Sequence, residues 1–304
     1  MVPSKPFMNK RSLAIAAALG EAVIYSLNHS IAKGLMPIYI KPFGFILLRV
    51  SGAVVLFWAL SLFFPKEKIQ LSDWPRMVAC AVFGMVINML FFFKGLSLST
   101  PINSSVIMTV SPILVLVLSA ILLKEKVTWL KISGIGIGLV GAVSLIAFGA
   151  ETRNDAPNIP LGNFMFIINA TSYGVYLILV KPLTKKYSFI TLLKWFFLLS
   201  WLINFPICIN EFMEVRWQNL PAPAIWQMVY VVVGVTFFTY LFNMLALRQL
   251  APSTLSSFVY LQPLLAILFA VAIGADQLST IKIIAALLVF TGVYLVTKKK
   301  TTFG

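Results

Sequence analysis

PINSSVIMTVSPILVLVLSAILLKE, residues 101–125, comes back 151 residues later as PSTLSSFVYLQPLLAILFAVAIGAD, residues 252–276. Pro101, Pro112 and Glu125 land on Pro252, Pro263 and Asp276, inside runs that are otherwise almost wholly apolar. Upstream, Glu21, Tyr25 and Asn28 recur 148 residues later as Asn169, Tyr173 and Tyr176. A chain that repeats itself within nearly continuous apolar sequence carries the signature of a membrane transporter built from two homologous halves.

Composition agrees with that reading. Hydrophobic residues make up 60% of the chain and charged ones 11%, with a mean hydropathy of +0.95. Soluble domains run nearer ~45–50% and ~25%, so most side chains here must face lipid or one another. The formal net charge of +15 would suggest nucleic acid in a soluble protein. Here the basic residues gather between the apolar runs, where they set orientation and meet anionic headgroups, so nucleic-acid binding is not expected. Cys80 and Cys208 both lie inside apolar runs. They offer neither a disulfide framework nor a metal cluster, and no cofactor is called for. The run after Lys10 and Arg11 lacks a clear small-residue cleavage site, is interrupted by Glu21, and has its repeat counterpart in mid-chain. It reads as a retained first span.

Runs long enough to cross a hydrocarbon core, about 20 residues each, fall near 13–33, 43–64, 74–95, 102–123, 130–149, 161–181, 189–209, 225–247, 253–274 and 280–297. The expected fold is therefore an all-α integral membrane protein of ten transmembrane helices. Residues 10–149 form the first repeat and 161–298 the second. Residues 150–160, with Asn154, Asp155, Pro157 and Pro160, link them, and 299–304 form a tail. With the N-terminus inside, sixteen of the 24 Lys and Arg fall on the cytoplasmic side and six outside, while Arg49 and Lys194 lie within spans. That bias predicts both termini in the cytoplasm. Five spans per half is an odd number, so the two repeats are expected to be inverted around a central cavity.

Glu21, Tyr25, Asn28 and His29 share one face of the first helix, and Asn169, Ser172, Tyr173 and Tyr176 share one face of the sixth. Polar groups facing lipid are costly, so both stripes should look into the bundle, as interhelical glue or as cavity lining. Their matching positions favour a cavity. Glu21 lies roughly 13 Å from the inner edge at 1.5 Å per residue, near the midplane. A carboxylate there must be paired or protonated. It is either a site for proton coupling or a substrate amine, or one half of an ion pair with Arg49 in span two. Lys194, near the start of span seven, is the counterpart of Arg49. Inversion would set one cation near the outer mouth and the other near the inner mouth, where they could attract an anionic group, while for Lys194 snorkelling to headgroups is the favoured explanation. His29 has no partner set suggesting a metal.

Spans three and eight add Asn88 and Phe92, and Thr236, Thr239, Tyr240 and Asn243, at helical spacing. Spans four and nine add Ser105, Thr109, Ser256 and Tyr260. Pro112 and Pro263 are expected mid-helix, each freeing the carbonyl four residues earlier, and their repetition reads as a pair of gating kinks. Gly134 and Gly138 permit close packing, against span ten or across a dimer face, so monomer and homodimer both stand. No HExxH, GxSxG or Walker sequence occurs, and Glu21 alone among the carboxylates lies deep in a span. The chain is not expected to be an enzyme.

Several segments together resemble the drug/metabolite transporter superfamily, in particular its ten-helix EamA-type permeases. They are Phe45-Ile46-Leu47-Leu48-Arg49, Lys94-Gly95-Leu96-Ser97-Leu98, Pro101 with Ser105, Pro112, and Leu123-Lys124-Glu125-Lys126. The second copy keeps Ala246-Leu247, Pro252, Ser256, Pro263 and Asp276. The resemblance covers about residues 10–298. It implies two EamA repeats around a central cavity, with spans five and ten peripheral, and export of amino acids or other small metabolites. Glu21 and His29 fall outside the shared motif, and Ala275-Asp276-Gln277 replaces the stronger Lys-Glu-Lys pattern.

The expectation is a carrier in a bacterial inner membrane that works by alternating access, takes a small-molecule substrate, sits in the lipid bilayer and is a monomer or homodimer. The aromatic residues Tyr25, Phe92, Tyr173, Tyr176, Tyr240 and Tyr260 suit an amino acid or another partly apolar solute. A nucleotide-sugar or phosphorylated-metabolite exchanger would want more cations than Arg49 and Lys94. A non-transporting scaffold or sensor would need neither kinks nor polar stripes at matching positions.

Overall fold

The computed structural model describes residues 9–149, 156–272 and 280–298. Among these residues every regular element is a helix and there is no strand, the outcome that a solvent without hydrogen-bond partners imposes on backbone amides. The order is α1 (Lys10–Ser26), α2 (Asn28–Leu35), α3 (Pro42–Ser61), α4 (Trp74–Ala81), α5 (Asn88–Leu98), α6 (Pro101–Met108), α7 (Ser111–Leu122) and α8 (Trp129–Gly149). The second half continues with α9 (Ile159–Leu183), α10 (Phe189–Met213), α11 (Ala222–Val229), α12 (Thr239–Gln249), α13 (Pro252–Ser256), α14 (Leu261–Ala272) and α15 (Thr280–Thr297). Asp276, Arg153, Asn154, Asp155 and the tail 299–304 lie outside the described residues.

Among the described residues five helices are long and apolar enough to cross a membrane: Pro42–Ser61, Leu71–Leu98, Ile159–Leu183, Phe189–Met213 and Ala222–Gln249. The remaining apolar runs are helical where described, α8 over 21 residues and α15 over 18, while α1/α2, α6/α7 and α13/α14 are interrupted. The burial pattern is that of a protein surrounded by oil. Leu62, Phe63, Trp129 and Trp226 are exposed, while Asn28, Ser172, Thr236 and Asn243 are buried. Helix starts follow local chemistry. Asn9, Asn158 and Ser188 each accept a backbone N–H from the first turn of α1, α9 and α10.

Helices pack chiefly in four pairs: α3 along α10, α8 along α15, α1 along α12, and α5 along α9. Each pair joins one element from either half of the sequence. The glycine face of α8 is taken up by α15. A Cβ on Gly292 would sit 2.5 Å from the Gly138 nitrogen, and one on Gly134 would sit 2.8 Å from the Gly292 oxygen. Only small residues allow backbones this close.

The α3/α10 pair also defines the two ends of the bundle. Where α3 begins, Glu211 near the end of α10 accepts the N–H groups of Phe43 (2.7 Å) and Gly44 (3.3 Å), and Lys41 pairs with Glu214 at 2.5 Å. Beyond the end of α3, Glu67 accepts the Ser188 N–H (2.8 Å) and Asp73 binds Lys186 (3.0 Å) and the Tyr187 hydroxyl (2.8 Å), just before α10 starts. The two helices therefore run antiparallel.

Breaks in the helices differ from the expectation. Pro112 and Pro263 are not mid-helix. Each sits in the first turns of a new helix, after an interruption at Thr109–Val110 and after a 3-10 turn at Ser257–Tyr260. A missing N–H is tolerated there because first-turn amides have no intrahelical partner anyway. Two further irregularities have no proline. Residues Val82–Ile87 and Tyr230–Phe238 are wide π-helical turns that join α4 to α5 and α11 to α12. They close at Ile87 and Phe238, 151 residues apart, so they too belong to the repeat.

Candidate functional site

The irregular turns surround a central cavity whose empty space, counting the part open to the outside, is about 780 Å³. Its wall is built from repeat-equivalent pairs. Glu21 and Asn169, Tyr25 and Tyr173, Asn88 and Thr239, Met89 and Tyr240, Phe92 and Asn243, Met108 and Val259, and Ser111 and Gln262 all line it. The first two pairs are 148 residues apart and the rest 151. Arg49, Phe93, Ala170 and Tyr176 complete the lining.

One corner is acidic. Asn243 Nδ2 donates to both carboxylate oxygens of Glu21, at 3.0 and 3.2 Å, and to the Tyr173 hydroxyl at 2.8 Å. This amide holds three acceptor oxygens together with two protons, and its own Oδ1 is buried without a partner. Among the described residues Glu21 makes no ion pair. The pairing of Glu21 with Arg49 that the sequence left open is absent. The guanidinium instead donates from Nε to Thr236 Oγ1 at 2.8 Å and stacks over the Phe93 ring, 4.7 Å from its centroid. Arg49 is 2% exposed, so it stands inside the cavity wall and not at a mouth. Lys194 is not its structural counterpart, because its ammonium lies over Trp58, 5.2 Å from the ring centroid, away from the cavity.

Carbonyls of the π-helical turn at Val82–Ile87 and of Asn88, the first residue of α5, are used by the second half. Ser172 Oγ donates to the Phe83 carbonyl (2.6 Å), the Tyr240 hydroxyl to that of Gly84 (3.1 Å), and Asn169 Nδ2 to that of Asn88 (2.6 Å). In the other turn Thr236 and Thr239 bond the carbonyls of Val231 and Val235 within the same segment. Tyr176 packs its ring on Gly84, where a Cβ would come within 2.4 Å, and this contact requires glycine.

Other residues singled out from the sequence do not line the cavity. Asn28 is fully buried beside Tyr25, beyond the break at Leu27. The His29 side chain lies outside the described ones. Ser105 precedes the interruption at Thr109–Val110, Thr109 is part of it, and Ser111 beyond it faces the hollow in their place. Ser256 turns back on its own helix to the Ser253 carbonyl (3.1 Å). Tyr260 lies against Gly138 of α8, where an added Cβ would meet its ring at 2.6 Å. The common reason is the loss of helical register at each break. Helical spacing counted through an interruption points to the wrong face. Conversely, Met89, Phe93, Met108, Ser111, Ala170, Val259 and Gln262 line the cavity without having been singled out, although the 151-residue spacing and the place of Met108, Ser111, Val259 and Gln262 beside the two prolines mark those four. Among the described residues no cluster of His, Cys, Asp and Glu is suited to a metal.

With this geometry in place, comparison with known proteins is informative. The profile of the EamA-like transporter family matches residues 12–147 and again 160–298. An uncharacterized transporter of Archaeoglobus fulgidus is 26% identical over 288 residues, covering 95% of this chain and 98% of that protein. A WAT1-related protein of Arabidopsis thaliana is 21% identical and covers 91% of this chain and 80% of its own length. A protein of Streptantibioticus cattleyicolor named "Probable terminal-alkyne amino-acid exporter" is 24% identical over 116 residues, 38% of this chain and 37% of its own. A solved crystal structure superposes with a TM-score of 0.76 at 20% identity, over 94% of this chain and 97% of that one. The last likeness concerns the fold alone.

Proposed function

The chain belongs to the EamA-like transporter family, and from that premise we propose that it exports amino acids or similar small metabolites by alternating access. Its ten apolar runs are ten spans in two five-helix repeats, 10–149 and 161–298, inserted in opposite senses and joined by 150–160. Both termini face the cytoplasm of a bacterial cell, across its inner membrane. The antiparallel packing of α3 and α10, the second long helix of each half, supports that inversion.

The observation that carries this reading is the wall of repeat-equivalent residues around one cavity, with Glu21 and Arg49 both in it and not paired to each other. Small-molecule sites use a few polar groups on an apolar wall, as this one does. Glu21, held by neutral donors, takes a proton or a substrate ammonium as its counter-charge. Arg49 uses Nε on Thr236, which leaves two terminal nitrogens for a carboxylate. Phe92, Phe93 and Tyr25 receive the apolar part. The pair of opposite charges suits a zwitterion, and the exporter name of the Streptantibioticus cattleyicolor relative is in keeping with that. Arg49 is the single Lys or Arg among the described lining residues, a poor fit to a nucleotide sugar or phosphometabolite. Pro112 and Pro263 act as hinges beside the cavity.

Counterflow in proteoliposomes with a panel of amino acids, purines and sugars, with and without a pH gradient, tests the proposal. Exchange of amino acids driven by the gradient is expected, with the pH dependence lost in Glu21→Gln. Folded protein that exchanges none of the panel overturns the transport reading. Unchanged rate and pH dependence in Glu21→Gln removes that residue from coupling.

A further inference from the structure

Two lysines outside the cavity wall hold equivalent positions in the two halves and make equivalent bonds. Lys33 in α2 donates from Nζ to the carbonyls of Leu96 (2.9 Å) and Ser99 (3.0 Å). Lys181 in α9 donates to the carbonyls of Leu247 and Leu250, the latter at 2.6 Å. The lysines are 148 residues apart, and each pair of acceptors is 151 apart, which are the two offsets of the repeat. In both cases the acceptors end a helix, α5 or α12, where intrahelical donors run out and partial negative charge collects.

Capping explains the chemistry but not the reach. α1 packs along α12 and α14, while α9 packs along α5 and α7. Lys33 lies on α2, which continues the first span from α1 and itself touches α5, α6 and α11, and it reaches from that span to the corner between α5 and α6. Lys181 extends from the α5/α7/α9 group to the corner between α12 and α13. Each bond crosses the boundary between the two groups that enclose the cavity. The crossings are at opposite ends of the bundle, since Lys33 precedes the Lys41–Glu214 end and Lys181 precedes the Lys186–Asp73 end. The Lys181 end has a second tie. Lys131 Nζ and Ser253 Oγ both bond Glu125 Oε1, which joins the loop after α7 to α13.

We propose that Lys33 and Lys181 are reciprocal latches, each closing one mouth of the cavity, so that transport releases one while the other holds. The proposal rests on the alternating-access reading above. Both latches are made in this structure. Each lies at a helix end, where water can replace the lost carbonyl bonds when it opens.

The test uses a reporter cysteine at the cavity wall, Ser111→Cys, in a background carrying Cys80→Ala and Cys208→Ala. An impermeant thiol reagent is applied from either face of oriented membranes, and labelling is normalised to that of denatured protein. Lys33→Gln should shift the ratio of the two labelling rates about tenfold toward the face bearing Lys41, the size expected for one charge-assisted bond. Lys181→Gln should shift it as far toward the face bearing Lys186, and the double variant should return near the starting ratio. Lys33→Arg and Lys181→Arg, which keep the donor, should move it least. If the reporter reacts from both faces but neither glutamine variant moves the ratio, the lysines are helix caps only and the latch falls while transport stands. If it reacts from neither face in any variant, the cavity reading and the latch fall together.

Discussion

The corner where α1 meets α12 and the corner where α9 meets α5 are the same corner in the repeat, yet they hold different chemistry. In the first, Glu21 lies against Asn243. In the second, the equivalent residues are Asn169 and Phe92, and Phe92 sits among Phe93 and Phe166 with ring centroids 5.0 and 6.0 Å away. The backbone differs as well. The helix carrying Glu21 breaks at Leu27, whereas α9 runs 25 residues without interruption. Duplication has kept the packing and released the side chains. On the proposed function, the symmetric scaffold would supply the motion and the asymmetric lining the selectivity.

The largest expected contrast is between the two equivalent stripe positions, Glu21 and Asn169, themselves. Glu21→Gln should lower proteoliposome transport by ten- to a hundredfold, the scale of about 1.5–3 kcal/mol for a charged hydrogen bond. Asn169→Ala, which removes a neutral bond to the Asn88 carbonyl, should cost only about fivefold, or about 1 kcal/mol. Equal losses at both positions would mean that the corners are functionally alike and would undo the comparison.

Stability should separate the corners next. Asn243→Leu strips the carboxylate of Glu21 of its donor and should lower thermal stability in detergent by about 1–3 kcal/mol, and Glu21→Gln in the same chain should recover part of that. Phe92→Leu, a change within an apolar corner, should cost about 1.5 kcal/mol or less.

Where the halves meet backbone to backbone, position matters more than residue type. Gly292→Val should destabilise by about 1–3 kcal/mol or more, because its side chain would overlap the backbone of α8 at Gly138. Gly136→Ala on the same helix pair meets nothing within 4 Å and should stay within about 0.5 kcal/mol.

The smallest effect belongs to the Lys41–Glu214 pair at one end of the bundle. Its hydrogen bond and charge hold the Lys41 ammonium above its ordinary pKa, yet the pair is exposed. A raised folded-state value contributes stability that is fully present below the ordinary lysine pKa and is lost only as pH rises through the raised one. Lys41→Ala should therefore leave the melting temperature's dependence on pH unchanged between about pH 5 and 8, since lysine titrates far above that window.

Much of this was legible in the sequence because membranes simplify the code. Apolar length located the helices, and the 148- and 151-residue offsets located the repeat. The stripes Glu21–Tyr25 and Asn169–Tyr173 pointed inward because nothing else is tolerable for such groups in hydrocarbon. What escaped was set by breaks in register. The π-helical turns at Val82–Ile87 and Tyr230–Phe238 contain no proline and leave no residue signature. The interruptions near Pro112 and Pro263 turned Ser111 and Gln262 into the cavity while Ser256 and Tyr260 turned away. Tyr260 against Gly138 is a tertiary choice between two neighbours, and single-helix periodicity cannot see the neighbour.

The central claim is that two equivalent halves enclose one hollow open in turn to each face. It is tested most directly by Asn88→Cys and Thr239→Cys, a repeat-equivalent pair on the wall, each in the background lacking Cys80 and Cys208. Impermeant thiol reagent applied from either face of oriented membranes should modify both positions. Modification of each position from one face only, or of neither from any face, would contradict the account.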